Sequence, residues 1–158
     1  MTTGNPETWI RSQVYSLLYH ALDYPSEESG LPLVARDGNA LFSELGRSSI
    51  SERADELFDM IETTDIEDLQ VEYTRLFINA YPRVIAPPYE SFWREKEIYG
   101  EATIKIKKLY SACGLDTSKN WHDLPDHISA ELAFLAYLDA NESTEHFDIK
   151  QRLLDCLL

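Results

Sequence analysis

The chain has 158 residues, enough for one domain with a real core, and its 44% apolar and 27% charged content marks it as globular rather than disordered. Its net charge of −14 argues against nucleic acid and anionic membrane as partners and favours basic ones, a basic peptide segment foremost, although an acidic surface also serves simply for solubility. Cys113 and Cys156 lie in helical patterns without CxxC spacing, which argues against a disulfide framework or a zinc site and fits a reducing compartment. Residues 1–9 lack the basic and apolar regions of a signal peptide, and no apolar run approaches the roughly 18 residues that span a bilayer. The expected location is the cytoplasm.

The period is helical throughout. Ile10, Val14, Leu17, Leu18, Ala21 and Leu22 make one stripe, which Pro25 ends. Residues 26–40, with Gly30, Pro32 and Gly38, read as an irregular connection, followed by a short helix over residues 40–45. Ser49 with Glu52 is a capping box that opens a helix striped by Ile50, Ala54, Leu57, Phe58 and Ile61. Asp65 with Asp68 opens the next, striped by Ile66, Leu69, Tyr73, Leu76, Phe77 and Ala80, and Pro82 requires it to stop near Tyr81.

A loop over residues 81–91 holds three prolines. The spacing then predicts one long helix with Tyr99, Ala102, Ile106, Leu109, Tyr110 and Cys113 on one face, Lys105, Lys107 and Lys108 facing solvent, and Gly114 as its cap. Asp123 is the expected N-cap of the last strong helix, with Pro125 in its first turn. From Ala130 to Leu138 only Glu131 is not apolar, which marks a central helix surrounded by others. With no alternating strand pattern and no internal repeat, the expected fold is all-α: a single-domain bundle of about six or seven helices over residues 1–158.

Two regions carry the candidate chemistry. His127 and Glu131 share a helix face at i, i+4, and Asp126 is expected in the first turn, where a carboxylate meets unpaired N–H groups. This reads as an ordinary helix start with one His–Glu pair, or as a polar cluster at the rim of a groove, suited to a cationic ligand. A third reading takes His122, Asp126, His127 and Glu131 as metal ligands, and the pair His122 and Asp123 resembles the dipeptide of all-α metal-dependent phosphohydrolases; however, that pair lies in a loop, and His20 and His146 fall on no ligand motif. The second region is the run Pro87, Pro88, Tyr89, Glu90, Ser91. Its prolines set a chain direction, and Tyr81, Tyr89, Phe92 and Trp93 around them either pack in the core or make a stiff docking surface. No nucleophile elbow and no phosphate-cradling glycine loop is present.

These pieces together resemble the TorD/DmsD/NarJ-type chaperones of molybdoenzyme maturation: an aromatic-x-x-Leu-Phe helix end at Tyr73, Leu76 and Phe77, then Pro87, Pro88, Tyr89, Glu90, Ser91 and Trp93, then Asp126, His127, Glu131, Leu132, Phe134 and Leu135. The resemblance implies an all-α cytoplasmic chaperone with no reaction or cofactor of its own. It would bind the twin-arginine leader, or a related N-terminal segment, of a molybdopterin oxidoreductase catalytic subunit and hold it until the cofactor is inserted. Positions matching Tyr73, Leu76, Phe77, Pro88, Tyr89, Trp93, Asp126 and His127 lie around that family's leader groove, and Pro87, Glu90, Ser91 and Glu131 complete the expected peptide-binding set. A receptor for arginines beside an apolar stretch needs carboxylates beside an apolar, aromatic groove. Guanine nucleotide binding has been proposed for the family, but no motif for it stands here.

The chain is expected to be short at its C-terminus relative to that family, ending mid-stripe. Leu153, Leu154, Leu157 and Leu158 form an apolar stripe with nothing after it, which predicts self-association, a homodimer or exchange of this helix between two copies. The rival functions are a small all-α metal-dependent hydrolase built on His122, Asp126, His127 and Glu131, and a generic helical adaptor.

Overall fold

A computed structural model describes residues 6–26, 38, 40–41, 48–117, 121–141 and 143–157. Seven helices can be bounded among them: α1 Pro6–Ala21, α2 Ser48–Thr63, α3 Ile66–Tyr73, α4 Glu90–Glu95, α5 Glu101–Ala112, α6 Ile128–Ala140 and α7 Thr144–Leu157. The described residues contain no strand beyond one antiparallel bridging pair, Tyr89 with His127. Residues 40–41 are helical; residues 42–45 of the short helix expected there, most of the connection before it, and the side chains of Ser49, Glu52, Ile50, Ala54 and Phe58 lie outside what the structure describes.

The apolar run predicted to be central is central. Leu132, Phe134, Leu135 and Leu138 of α6 meet Ile106, Leu109 and Tyr110 of α5 and Ile149 and Leu153 of α7 in one core. Each such side chain is worth roughly 1.5–3 kcal/mol when fully buried. α1 lies antiparallel along α6: Ser12 Oγ donates to the Ala136 carbonyl at 2.8 Å, and Ser129 Oγ donates to the Leu22 carbonyl at 2.9 Å. Of the predicted α1 stripe only Leu17 is fully buried; Thr8 and Ser12 are the other buried positions. Small hydroxyl residues let the two backbones approach and spend their polar atoms on the neighbour's carbonyls, which an apolar count does not register.

Asp139 of α6 receives Lys150 of α7, a buried ion pair, and Arg11 of α1 at 3.5 Å. Three helices are thereby held by one carboxylate. Leu153 is fully buried on this same bundle and Leu154 half-buried. The stripe expected to need a second copy is therefore covered at Leu153 by the chain's own α6, and the reason for predicting a homodimer falls away there; the side chains of Leu157 and Leu158 lie outside the described residues.

Three predicted boundaries moved. α3 does not run to Tyr81: it passes into a π-helical turn, Thr74–Ile78, and ends where the Asn79 N–H donates to the Thr74 carbonyl at 2.8 Å. The single long helix expected after the proline loop is two helices, α4 and α5, broken over residues 96–100, with Lys96 and Tyr99 at φ 62° and 69°. The break exists because Glu95 turns back to cap α5, accepting from Glu101 N at 2.6 Å and Ala102 N at 2.8 Å. Tyr99, predicted on the buried face, is exposed outside the helix. Gly114 does end α5 as expected, at φ 70°, with Leu115 N donating to Tyr110 O and Gly114 N to Ser111 O. Third, the N-cap of α6 is His127 rather than Asp123: His127 Nδ1 accepts from Ser129 N at 3.2 Å, and Pro125 precedes the helix.

Candidate peptide-binding groove

The proline loop is fastened at both ends. Ala86 N donates to Leu76 O at 2.9 Å on the α3 side, and Ile128 N donates to Pro88 O at 2.8 Å at the start of α6. Glu90 N donates to Asp126 O at 3.0 Å, and Ser91 N donates to the Asp126 carboxylate at 2.9 Å. Trp93 Nε1 closes the loop on itself by donating to Pro87 O at 2.7 Å. Asp126, expected to serve the start of its own helix, serves the first turn of α4 instead.

Beside this fastened loop lies a groove of about 1040 Å³. Its walls are the end of α1 (Tyr19, Asp23, Tyr24), the turn of α3 (Tyr73, Phe77, Ile78), the loop (Arg83, Val84, Pro87, Pro88, Tyr89), Phe92 and Ile98, and the segment before α6 (Trp121, His122, Asp123, His127). Tyr73 binds the walls together. Its hydroxyl donates to Leu22 O at 3.2 Å, and its ring meets Tyr24 edge-on at 5.3 Å and Phe77 at 4.8 Å. Gln70 adds a bond to Pro25 O at 2.9 Å. Across the groove, the His127 ring lies edge-on to Tyr89 and to Trp121, each at 5.6 Å.

Of the twelve predicted peptide-binding residues, Tyr73, Phe77, Pro87, Pro88, Tyr89 and His127 line this groove. Leu76 contributes a carbonyl to the loop but not a side chain to the wall. Glu90 is half-buried and paired with Arg94 at 3.4 Å; Trp93 is 55% exposed outside the groove. Ser91, Asp126 and Glu131 are 0% exposed behind it. The sequence reading missed Tyr19, Asp23, Tyr24 and Trp121, and took Asp123 for a helix cap. Asp23 and Tyr24 directly precede Pro25 at a helix end, and that was the signal available.

The electrostatics separate an outer and an inner set of carboxylates. At the groove, burial and then the Asp23 and Asp123 carboxylates push the Tyr73 hydroxyl up to about 12. Burial, followed by the facing Asp123, raises Tyr89 as well. Burial lowers the His127 imidazole below its ordinary value, against the opposing pull of Asp123, Asp23 and Asp126. With Nδ1 accepting from Ser129 N, a neutral His127 carries its proton on Nε2. Behind the groove, burial and then the Glu90 and Asp126 carboxylates push Glu131 up to about 9, so it is a neutral acid near pH 7. The predicted His127–Glu131 side-chain pair is absent: the link between them is backbone, Glu131 N to His127 O at 3.2 Å. Nor do His122, Asp126, His127 and Glu131 converge as metal ligands. Among the described residues no group of three or more His, Cys, Asp or Glu side chains is disposed to hold an ion.

The family model described as nitrate reductase delta subunit matches residues 43–157. A crystal structure from Archaeoglobus fulgidus, described as a redox enzyme maturation protein, superposes with a TM-score of 0.61 at 28% identity, covering 99% of this chain and 96% of that one. No curated protein matches the sequence.

Proposed function

The chain belongs to the nitrate reductase delta subunit family, and we propose that it binds the twin-arginine leader, or a related N-terminal segment, of a molybdopterin oxidoreductase catalytic subunit in the cytoplasm and holds it until the cofactor is inserted. The family is one of maturation chaperones, not enzymes. The observation that carries the finer reading is the groove of about 1040 Å³, whose walls combine aromatic rings and prolines with the carboxylates of Asp23 and Asp123. An extended segment with an apolar run and arginines has the shape and charge for it. The overall charge of −14 attracts such a segment and repels nucleic acid. No helix among the described residues is long and apolar enough to cross a membrane.

Titration calorimetry with a leader peptide is the test. Binding at micromolar affinity or better, about −8 kcal/mol, is expected, weakening with salt and on replacement of both arginines. Equal binding of a scrambled, uncharged peptide would sink the reading.

A further inference from the structure

We propose that Asp23 and Asp123, from two different segments of the groove lining, receive the guanidinium groups of the bound segment, and that Asp126 does not. The inference rests on the leader-binding reading above and assigns the residues that recognise its charge. Asp23 closes α1, whereas Asp123 precedes α6, yet both line the same groove. They also act on the same two groups, the Tyr73 phenol and the His127 imidazole, so their charges converge on one space. Each spends one oxygen locally: Asp23 Oδ1 accepts from Tyr24 N at 2.9 Å and Asp123 Oδ1 from Leu124 N at 2.7 Å. Those bonds hold the carboxyls in place; the Asp123 carboxylate also accepts from the Tyr89 hydroxyl, which steadies it further.

Aromatic rings line the groove with both: Tyr24 and Tyr73 on the side of Asp23, and Tyr89, whose hydroxyl meets Asp123, with Trp121. A carboxylate beside an aromatic face suits arginine, which hydrogen-bonds in its plane and stacks across it, better than lysine. Arg83 lines the same groove and makes no ion pair among the described residues. Asp126 is 0% exposed, and one of its oxygens already holds Ser91 N. A guanidinium could reach it only by opening the joint between the proline loop and α6.

The experiment is calorimetric titration of a synthetic peptide with two adjacent arginines before an apolar run, and of its Gln-Gln counterpart, into the full chain and into Asp23→Asn, Asp123→Asn, the double variant and Asp126→Asn. Asn keeps the local Oδ1 bond, and circular dichroism checks each fold. The Arg peptide should weaken about tenfold for each of the first two variants and more for the double variant. The Gln-Gln peptide should bind Asp23→Asn, Asp123→Asn and their double variant alike. Asp126→Asn loosens the joint under the proline loop, so it should shift both peptides by the same factor while melting earlier, and a loss confined to the Arg peptide would place a guanidinium on Asp126 and overturn the assignment. Normal binding of the Arg peptide by the double variant overturns this assignment and leaves leader binding standing. Equal loss for both peptides in that double variant also overturns it, since charge is then not what the pair reads. If the parent chain binds neither peptide, the leader-binding reading fails and this assignment with it.

Discussion

Replacing Glu131 by glutamine should flatten the dependence of stability on pH. The Glu131 side chain is 0% exposed, and neither of its oxygens has a partner in good hydrogen-bond geometry. Its carboxyl is raised from 4.5 to about 9 by burial and by the neighbouring Glu90 and Asp126. The sign follows from the proton count. Below 4.5 both the folded and the unfolded chain carry the proton; between 4.5 and about 9 only the folded chain does. Stability contributed by the protonated group is thus full at low pH and declines through that window as pH rises, by about 1.4 kcal/mol for each pH unit. The amide of the Glu131→Gln variant does not titrate, so the difference between parent and variant reports Glu131 together with its interaction with Glu90. Between about pH 7 and pH 8 the parent should lose about 1.4 kcal/mol more than the variant, or about 3–6 °C in Tm for a domain of this size. His127 titrates below its usual 6.5 and does not contribute there. Urea unfolding followed by far-ultraviolet dichroism gives the two slopes. Parallel lines for parent and variant across that interval would mean that Glu131 is ionised in the fold and that the reasoning fails.

Gly100→Ala should cost about 0.5–2 kcal/mol, the worth of a helix cap, because a Cβ there would collide with Glu95 Oε2 and push it off α5. In a Glu95→Ala background the same change should add little, which denaturant midpoints of the single and double variants would show. Lys150→Met should cost about 3–5 kcal/mol by leaving the Asp139 carboxylate with only Arg11 at 3.5 Å, and Lys150→Met with Asp139→Leu should recover much of it; a single variant as stable as the parent would refute the pairing. Leu153→Ala should cost about 2–5 kcal/mol without promoting association, measured by unfolding and light scattering, because Leu153 is a core residue of the chain's own bundle.

The parts of the fold legible in the sequence were those that depend on local patterns. The run from Ala130 to Leu138 has no polar face, so it had to be surrounded; Gly114 follows a stripe and supplies the positive φ its cap requires. The break between α4 and α5 was not legible because the helical period continues across it, and only the return of the Glu95 carboxylate onto the next helix reveals why the chain turns. The site divided in the same way. Tyr73, Phe77, Pro87, Pro88 and Tyr89 sit on contiguous, stiff or aromatic segments and reach the groove as a group. The burial of Asp126 and its bond to α4 rather than its own helix were not legible, because residue type and spacing carry no information about burial and its partner, Ser91, arrives from another helix. Asp23 was missed because its meeting with Asp123 depends on α1 packing antiparallel to α6, which rests on Ser12 and Ser129 rather than on an apolar stripe.

That packing bears on how the groove can bind. One wall hangs from the α1–α3 contact through Tyr73 and Gln70, the other from the joint of Pro88, Glu90 and Ser91 with Asp126 and Ile128. Every one of these bonds involves a backbone atom, so the walls are set by main-chain geometry before any ligand arrives. Two of the prolines lie between the fastenings, where their fixed φ leaves the loop few alternatives. A receptor with its walls already ordered loses little conformational entropy on binding, so the cost of ordering falls on the incoming extended segment. On the proposed reading, affinity would then depend on what that segment brings: apolar side chains for the rings of Tyr73, Phe77 and Tyr89, and a positive charge for the carboxylates. The neutral Glu131 fits the same arrangement, since a further ionised carboxylate behind the groove, beside Asp126 and Glu90, would strain the joint that holds the loop in place.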